Sequence, residues 1–261
     1  MTNVTDDGRI ERLTADLPEA VRREQIIPYF QPQVEVSTGR VVAAELLGRW
    51  EHPEFGFVPP AVFIPIAEQT NAIHELGRQM LHAGCRAAAE WQRSGQPLDV
   101  AVNVAPSQLA TEDFYESVRA ELADSGIDPH LLTLEVTEET IIADPARVAG
   151  RLDRLREIGV VVSIDDFGAG HSSPRRVIDL RASELKLDRR LVAPVKGDHS
   201  IATVVDFARE RGMRTVGEGV ETRTQLDRLR VAGCDRAQGY YIARPAPEQH
   251  FGEWLRDAAR A

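Results

Sequence analysis

Short apolar runs alternate with longer amphipathic stretches along this chain. The apolar runs predict eight strands, at residues 27–36, 40–47, 98–104, 131–136, 160–164, 184–187, 214–217 and 237–243. The amphipathic stretches predict helices at residues 72–93, 112–124, 145–158, 201–211 and 222–232. Strands that alternate with helices are typical of βα units around a largely parallel sheet. Eight such strands favour a closed barrel.

The first two predicted strands are joined by a very short connection. Only Ser37, Thr38 and Gly39 separate them, which predicts a hairpin of antiparallel strands. One barrel strand would then run against the others. We therefore expect an α/β protein with a TIM-like (β/α)₈ barrel that contains one antiparallel strand.

Length and composition fit this architecture. The 261 residues contain no low-complexity segment or long linker, so we expect a single domain over residues 1–261. Hydrophobic residues make up 43% of the chain, but no apolar run approaches the roughly 20 residues of a membrane-spanning helix. The polar start, from Met1 to Arg12, has no apolar stretch typical of a secretory signal. These features predict a cytoplasmic protein without membrane association.

The net charge and the rare cysteines and lysines limit the functions that this chain could have. The net charge of -10 argues against a broad surface for DNA or RNA polymers. Cys85 and Cys234 lie far apart without metal-ligand spacing, so we expect small buried side chains. Lysine occurs only at Lys186 and Lys196. Because arginine is used almost everywhere else, Lys186, which lies inside a predicted apolar strand, is a candidate for a functional role that needs a compact ammonium group.

Polar residues interrupt the apolar pattern at or just after the carboxyl ends of the predicted strands. In a (β/α)₈ barrel these ends converge on one face, where active sites lie. The interruptions occur at seven successive strands, from the second to the eighth, and comprise Glu45, Arg49, Asn103, Glu135, Glu138, Asp165, Asp166, Lys186, Asp188, Glu218 and Gln238.

This set of side chains predicts a metal site. Many carboxylates in one barrel mouth repel one another unless cations neutralise them. The donors are carboxylates and an amide, without histidine or thiol, which suits Mg²⁺ or Mn²⁺ better than zinc. Asp165 and Asp166 could both reach the mouth from a strand end, and one of them could bridge two cations, as in phosphodiester hydrolysis.

Each residue taken alone also has a structural explanation. Glu45 or Glu135 could be a paired structural carboxylate, and Asp165 with Asp166 could cap the following loop. Asn103 could simply begin a helix. The glycine-bearing segment 166–173 resembles either a mobile loop or a surface turn, and we expect His171 within it to face solvent. The coincidence of polar residues at seven strand ends favours a functional site.

An ordered series of motifs resembles the EAL domain family from about Leu13 to Trp254. The signature corresponds to the run from Ala44 to Trp50, with Leu46 where alanine is usual. Other departures are Gln33 in the first strand and Ala169, His171 and Pro174 in the loop. The remaining motifs correspond to residues 29–34, 103–106, 134–138, 165–168, 185–188, 218–221 and 238–240.

The resemblance implies hydrolysis of cyclic di-GMP to linear pGpG with two cations, Mg²⁺ or Mn²⁺, in each active site. It implies that Lys186 positions or deprotonates the attacking water, which Gln238 helps to hold. It also implies a homodimer in which the loop around Phe167 to Ser173 and the following helix connect the interface to the metal site. Glu138 would anchor that loop. The other site residues would bind the cations and the substrate. One cation would be held by Glu45, Asn103, Glu135 and Asp165, and the second by Asp165, Asp166 and Glu218. The substrate would be bound by Gln31, Arg49 and Asp188.

Two other functions remain open at this point. Some members of the family have lost metal ligands and act only as cyclic di-GMP receptors, but this chain retains every ligand position. An enolate-type metal-dependent barrel enzyme would also carry carboxylates and lysines at strand ends. Its ligands would come from three consecutive strands, and it would not need the loop at 166–173.

Overall fold

The predicted strands form one closed barrel. The computed structural model describes residues 6–137, 145–168, 181–193 and 200–258. Strand β1 pairs with β2 at one side and β9 at the other, which closes the circle in the order β1, β9, β8, β7, β6, β5, β4, β2. The barrel strands are β1 (Ile26–Glu35), β2 (Val41–His52), β4 (Asp99–Asn103), β5 (Leu132–Thr137), β6 (Val161–Phe167), β7 (Glu184–Leu187), β8 (Arg214–Gly217) and β9 (Arg236–Gln238).

The hairpin between β1 and β2 gives the barrel its antiparallel strand. β1 is antiparallel to both β2 and β9, whereas the other barrel pairs are parallel. The turn depends on Gly39, whose φ of +75° lies in the left-handed region that favours glycine. In this register Gln31 lies opposite Glu45, and Gln33 lies opposite Gln238. Both predictions, the hairpin and the single reversed strand, are confirmed.

Helices cover the outside of the barrel, and the five predicted helices are all present with ends within two residues of the predicted ones. Leu46, on the outer face of β2, packs towards Gly84 of α3, where an added Cβ would lie 3.5 Å from Leu46 Cδ1. Leu46 therefore points away from Glu45 and the barrel interior. The longer helices are α1 (Asp6–Arg22), α2 (Pro60–Gln69), α3 (Ala72–Arg93), α5 (Asp113–Ser125), α6 (Pro145–Glu157), α8 (Ser200–Arg209), α9 (Arg223–Ala232) and α10 (Glu248–Ala258), and the short ones are α4 (Pro106–Leu109) and α7 (Arg189–Val192).

Ion pairs surround the buried carboxylate of Glu184 at the amino-terminal end of the barrel. Glu184 is 1% exposed and accepts a hydrogen bond of 2.6 Å from Arg214 Nε. Asp99 contacts Arg236 at 2.6 Å and Arg214 at 3.3 Å. Because each buried charge has an opposite partner, this end is closed by structural ion pairs.

The structure differs from the sequence prediction in additional elements and in the end of the last barrel strand. The helices α1, α2, α4, α7 and α10 were not predicted, nor were the small strands β3 (Gly56–Val58) and β10 (Ala246–Pro247). The last barrel strand ends at Gln238 instead of residue 243, because the chain turns so that Tyr241 N donates to Val220 O. Among the described residues, the structure contains no helix that combines the length and apolarity needed to span a bilayer.

Candidate active site

Lys186 lies among four carboxylates at the carboxyl-terminal mouth of the barrel. Its ammonium nitrogen is 2.7 Å from Glu218 Oε1, 2.9 Å from Glu135 Oε2, 3.4 Å from Asp165 Oδ1 and 3.5 Å from Glu45 Oε2. The lysine is fully buried. Its partners come from β2, β5, β6 and the residue after β8, so closure of the barrel brings together side chains that are distant in sequence.

The electrostatics show that one ammonium group does not balance these carboxylates. Burial and the charge of Glu45 raise the pKa of Glu135 well above its usual value. Burial raises the pKa of Glu218 to about 8, despite the opposing effect of Lys186. Burial would lower the pKa of Lys186, but the carboxylates, led by Asp165, outweigh it and raise that pKa well above its usual value.

The same residues fit divalent cations. Glu135 Oε1 is buried and has no hydrogen-bond partner in the part of the chain that the structure describes. Carboxylate oxygens of Asp165, Asp166 and Glu218 lie within 4.8 Å of one another. An unpaired buried acceptor, raised carboxyl pKa values and an all-oxygen donor set together indicate a site that needs more positive charge, of the kind that Mg²⁺ and Mn²⁺ supply.

Glu45 is oriented by two amides. Its Oε1 accepts from Asn103 Nδ2 at 2.9 Å, and its Oε2 accepts from Gln238 Nε2 at 2.5 Å. Burial by itself would raise the pKa of Glu45, but Lys186 and the two amides outweigh burial and lower it. Glu45 is therefore an ionised acceptor. Since Asn103 uses its nitrogen here, its Oδ1 is the atom that could bind a cation.

Asp165 and Asp166 lie near the carboxyl end of β6, where the backbone of Asp166 has an unusual conformation. Asp166 has a φ of +59°, which is uncommon outside glycine and is best tolerated by Asn and Asp. Its backbone N–H donates to Asp165 Oδ1 at 2.8 Å. Burial and the neighbouring Asp165 raise the pKa of Asp166. The left-handed turn brings both adjacent carboxylates to the same cluster, where an extended strand would separate them onto opposite faces.

The three residues predicted to bind substrate have different surroundings. Gln31 is buried, and its Nε2 donates to Ala243 O at 3.2 Å. The guanidinium of Arg49 lies 5.7 Å from the centre of the Tyr29 ring, and burial lowers its pKa. Asp188 accepts hydrogen bonds from the backbone N–H and the side chain of Arg190 at 2.9 and 2.6 Å, so it caps the amino terminus of α7.

Glu138, the predicted loop anchor, lies outside the described residues, as do Ala169, His171 and Pro174. The structure therefore leaves their roles as predictions. The other eleven predicted site residues all lie at the carboxyl-terminal end of the barrel: Gln31, Glu45, Arg49, Asn103, Glu135, Asp165, Asp166, Lys186, Asp188, Glu218 and Gln238.

A cleft of about 350 Å³ opens beside the carboxylate cluster. Lys186 does not line the cleft itself, but it contacts Glu45 and Glu218, which do. Sequence reasoning missed several of its lining residues, although Arg189 directly follows the predicted Asp188 and Tyr240 lies two residues after the predicted Gln238. Tyr240 is 53% exposed, and the Arg244 guanidinium lies 4.3 Å from its ring centre. The lining comprises Gln31, Glu45, Leu47, Asp166, Asp188, Arg189, Glu218, Gly219, Glu221, Gln238, Gly239 and Tyr240.

Comparisons with known proteins agree with the motif series. The family model described as "EAL domain" matches residues 14–245. Cyclic di-GMP phosphodiesterase RocR of Pseudomonas aeruginosa is 38% identical over 241 residues, which cover 91% of this chain and 62% of RocR. Bifunctional diguanylate cyclase/cyclic di-GMP phosphodiesterase MucR of the same organism is 36% identical over 92% of this chain and 36% of MucR. This chain therefore spans less than two thirds of either relative.

A solved structure shows the same architecture. The structure described as the PaMucR phosphodiesterase in complex with c-di-GMP superimposes with a TM-score of 0.86 at 36% identity. The superposition covers 92% of this chain and 99% of that one.

Proposed function

This chain belongs to the EAL domain family, and on that premise we propose that it is a divalent-metal-dependent phosphodiesterase that hydrolyses cyclic di-GMP to linear pGpG. The observation that carries the proposal is the cluster in which Lys186 contacts Glu45, Glu135, Asp165 and Glu218 beside an open cleft. The other two ligand positions implied by the resemblance, Asn103 and Asp166, are also retained in the sequence. The family match gives no support to the enolate-type alternative.

The acidic cluster would hold two cations, Mg²⁺ or Mn²⁺. Glu45, Asn103, Glu135 and Asp165 are the proposed ligands of one, and Asp165, Asp166 and Glu218 those of the other. When bound, such cations neutralise phosphate oxygens and make water more acidic.

Lys186 and Gln238 would hold the attacking water. Lys186 would either donate a hydrogen bond to the water or take up its proton: the surrounding carboxylates raise its pKa well above the usual value in the metal-free protein, and cations bound to the same carboxylates would offset that effect. Removal of the water proton by Lys186 would require a neutral amine. The ammonium group also places positive charge where negative charge grows on the phosphate.

The remaining residues would bind the nucleotide around the scissile phosphate. Arg49, whose charge interacts with Tyr240 and Glu45, would supply positive charge, while Gln31 and Asp188 offer hydrogen-bonding groups in the cleft. In the reaction the water oxygen forms a new bond to phosphorus, and the bond from phosphorus to the 3′ oxygen breaks. That oxygen takes up a proton, which leaves pGpG with a 5′ phosphate.

Product analysis tests this function directly. Purified protein is incubated with cyclic di-GMP and Mg²⁺, and the nucleotides are separated by chromatography. We expect conversion to pGpG. Binding of cyclic di-GMP without product would instead identify a receptor, and absence of both binding and product would exclude cyclic di-GMP as the ligand.

Three further predictions from the sequence belong to this proposal: a single domain over residues 1–261, a cytoplasmic location and a homodimer. The dimer would connect the segment from Phe167 to Ser173 with the metal site. Light scattering across a range of protein concentrations tests it, since a fully active monomer at high concentration would contradict the dimer.

A further inference from the structure

Three glutamines form a buried hydrogen-bonded chain inside the barrel. Gln33, Gln238 and Gln31 are 1%, 4% and 7% exposed. Gln33 Nε2 donates to Gln238 Oε1 at 3.0 Å, and Gln238 Nε2 donates to Gln31 Oε1 at 3.1 Å. Gln238 Nε2 also donates to Glu45 Oε2 at 2.5 Å. The chain thus connects Gln33, which has no role so far, with a proposed metal ligand.

Hydrogen-bond chemistry determines which way each amide faces. An ionised carboxylate only accepts hydrogen bonds, so Gln238 must present its NH₂ group to Glu45. The carbonyl oxygen of Gln238 then faces Gln33, which must supply a donor. The second N–H of Gln238 is directed at Gln31 Oε1, which leaves Gln31 Nε2 to donate to Ala243 O. Only one set of orientations satisfies all these contacts.

The side chain of Gln33 stabilises this orientation of the Gln238 amide. A planar amide can rotate by 180° and exchange its NH₂ group for its oxygen with little change in shape. In Gln238 that rotation would place an oxygen against the Glu45 carboxylate. The donor on Gln33 opposes it, because the rotated amide would direct its NH₂ group at another NH₂ group.

We propose that Gln33 is a positioning residue that fixes the amide of Gln238 and, through it, the metal-facing carboxylate of Glu45. This inference rests on the proposed function for its catalytic consequence. Groups that orient metal ligands from behind typically contribute 10- to 100-fold to metal affinity. Replacing the donor should therefore weaken metal binding without removing any ligand.

Two substitutions at Gln33 test the direction of the hydrogen bond. Gln33→Met keeps the length of the side chain and removes the donor. Gln33→Glu replaces the donor with an acceptor, which should draw the NH₂ group of Gln238 away from Glu45. We expect the dissociation constant for Mn²⁺, measured by calorimetry without nucleotide, to rise roughly 10-fold in Gln33→Met and further in Gln33→Glu.

Gln108→Met is the matched control, because Gln108 is also a buried glutamine with a backbone hydrogen bond. It should lower the melting temperature but leave Mn²⁺ affinity unchanged. In turnover assays, saturating Mn²⁺ should restore kcat in Gln33→Met, whereas a variant that had lost a reacting group would keep a low kcat at any Mn²⁺ concentration.

Unchanged Mn²⁺ affinity in both folded Gln33 variants would overturn the inference. So would equal weakening in Gln108→Met. If the unmodified protein binds Mn²⁺ but does not cleave cyclic di-GMP, the proposed function fails while the Mn²⁺ titrations still decide the role of Gln33.

Discussion

The ammonium of Lys186 lies 2.7 Å from the carboxylate of Glu218, and the Lys186 side chain is 1% exposed. A buried ion pair of this kind can serve structure, catalysis or both. Breaking one by removing a single partner is strongly destabilising, because it leaves an uncompensated charge. The two roles can be separated by measuring stability and rate with and without metal.

Lys186→Met should lower the rate far more than substrate affinity. A group that orients the attacking water acts mainly in the transition state, so we expect a rate loss on the order of 10²–10⁴-fold with cyclic di-GMP binding retained. Calorimetry and chromatography on one preparation provide the two numbers. Without metal the variant should melt at a lower temperature, and Mg²⁺ should recover part of that loss. Near-normal product formation would refute the role of Lys186.

Arg209→Met provides a control for the loss of a cation. Arg209 pairs with Asp206 on the surface of α8, and its side chain is 60% exposed. Exposed ion pairs contribute about 0–1 kcal/mol, so this variant should retain both rate and melting temperature.

Asp165→Asn should abolish hydrolysis with the fold intact, because it removes a charged metal ligand from a crowded acidic cluster. Glu45→Ala should act in the same way. The melting temperature of the metal-free protein should stay the same or rise for Asp165→Asn, since repulsion among the carboxylates decreases. Circular dichroism and Mn²⁺ titration measure the two effects.

Glu184→Gln is the matched control for Asp165→Asn. Glu184 is buried at the opposite end of the barrel beside Arg214 and Arg236. Its substitution should lower stability and leave Mn²⁺ affinity unchanged. Normal turnover in Asp165→Asn would remove Asp165 from the metal site.

Divalent cations should differ in their effect on hydrolysis even where they all stabilise the folded protein. Any divalent cation that binds the folded protein raises the melting temperature by mass action. Mg²⁺ and Mn²⁺ should also support hydrolysis, whereas Ca²⁺ should inhibit, because its bonds of about 2.3–2.6 Å and looser coordination misplace the reacting groups. Robust hydrolysis in chelator, or full support by Ca²⁺, would contradict a two-metal site.

Gly239→Ala should damage the cleft. A Cβ at this position would lie 2.2 Å from Val220 N and Val220 O, so the backbone after Gln238 would have to move. Gln238 and Tyr240 flank this glycine, and we expect lower turnover together with a lower melting temperature. Gly150→Ala, where an added Cβ meets nothing within 4 Å, is the control; it should leave turnover unchanged and should not lower the melting temperature, because alanine favours the α6 helix more than glycine does. A fully active Gly239→Ala enzyme would show that the close approach is not required.

The two cysteines should be unreactive in the folded protein. Burial raises the pKa of Cys85 to about 12 and that of Cys234 to about 11. Since reaction requires the thiolate, and pH 8 lies well below both values, a thiol reagent should label neither cysteine until the protein unfolds. Labelling with and without denaturant, followed by mass spectrometry, tests this. Rapid labelling of the native protein would contradict the burial.

Much of the site could be predicted from the sequence because it repeats a local rule. A polar residue at the end of an apolar strand is visible without knowledge of any contact, and this identified Glu45, Glu135, Lys186 and Glu218 as neighbours at one barrel face. The hairpin was equally local, since Gly39 and two polar residues form its turn. The outward direction of Leu46 follows from strand alternation alone.

Tertiary structure decided which atoms meet. The four contacts of Lys186 depend on the closure and stagger of the barrel, which set distances between strands that are far apart in sequence. The chain from Gln33 through Gln238 to Glu45 depends on the antiparallel register of β1 with both of its neighbours. The left-handed conformation of Asp166 is likewise seen only in the folded chain. Periodicity in a sequence gives the face on which a side chain lies, but only the closed barrel determines its partner.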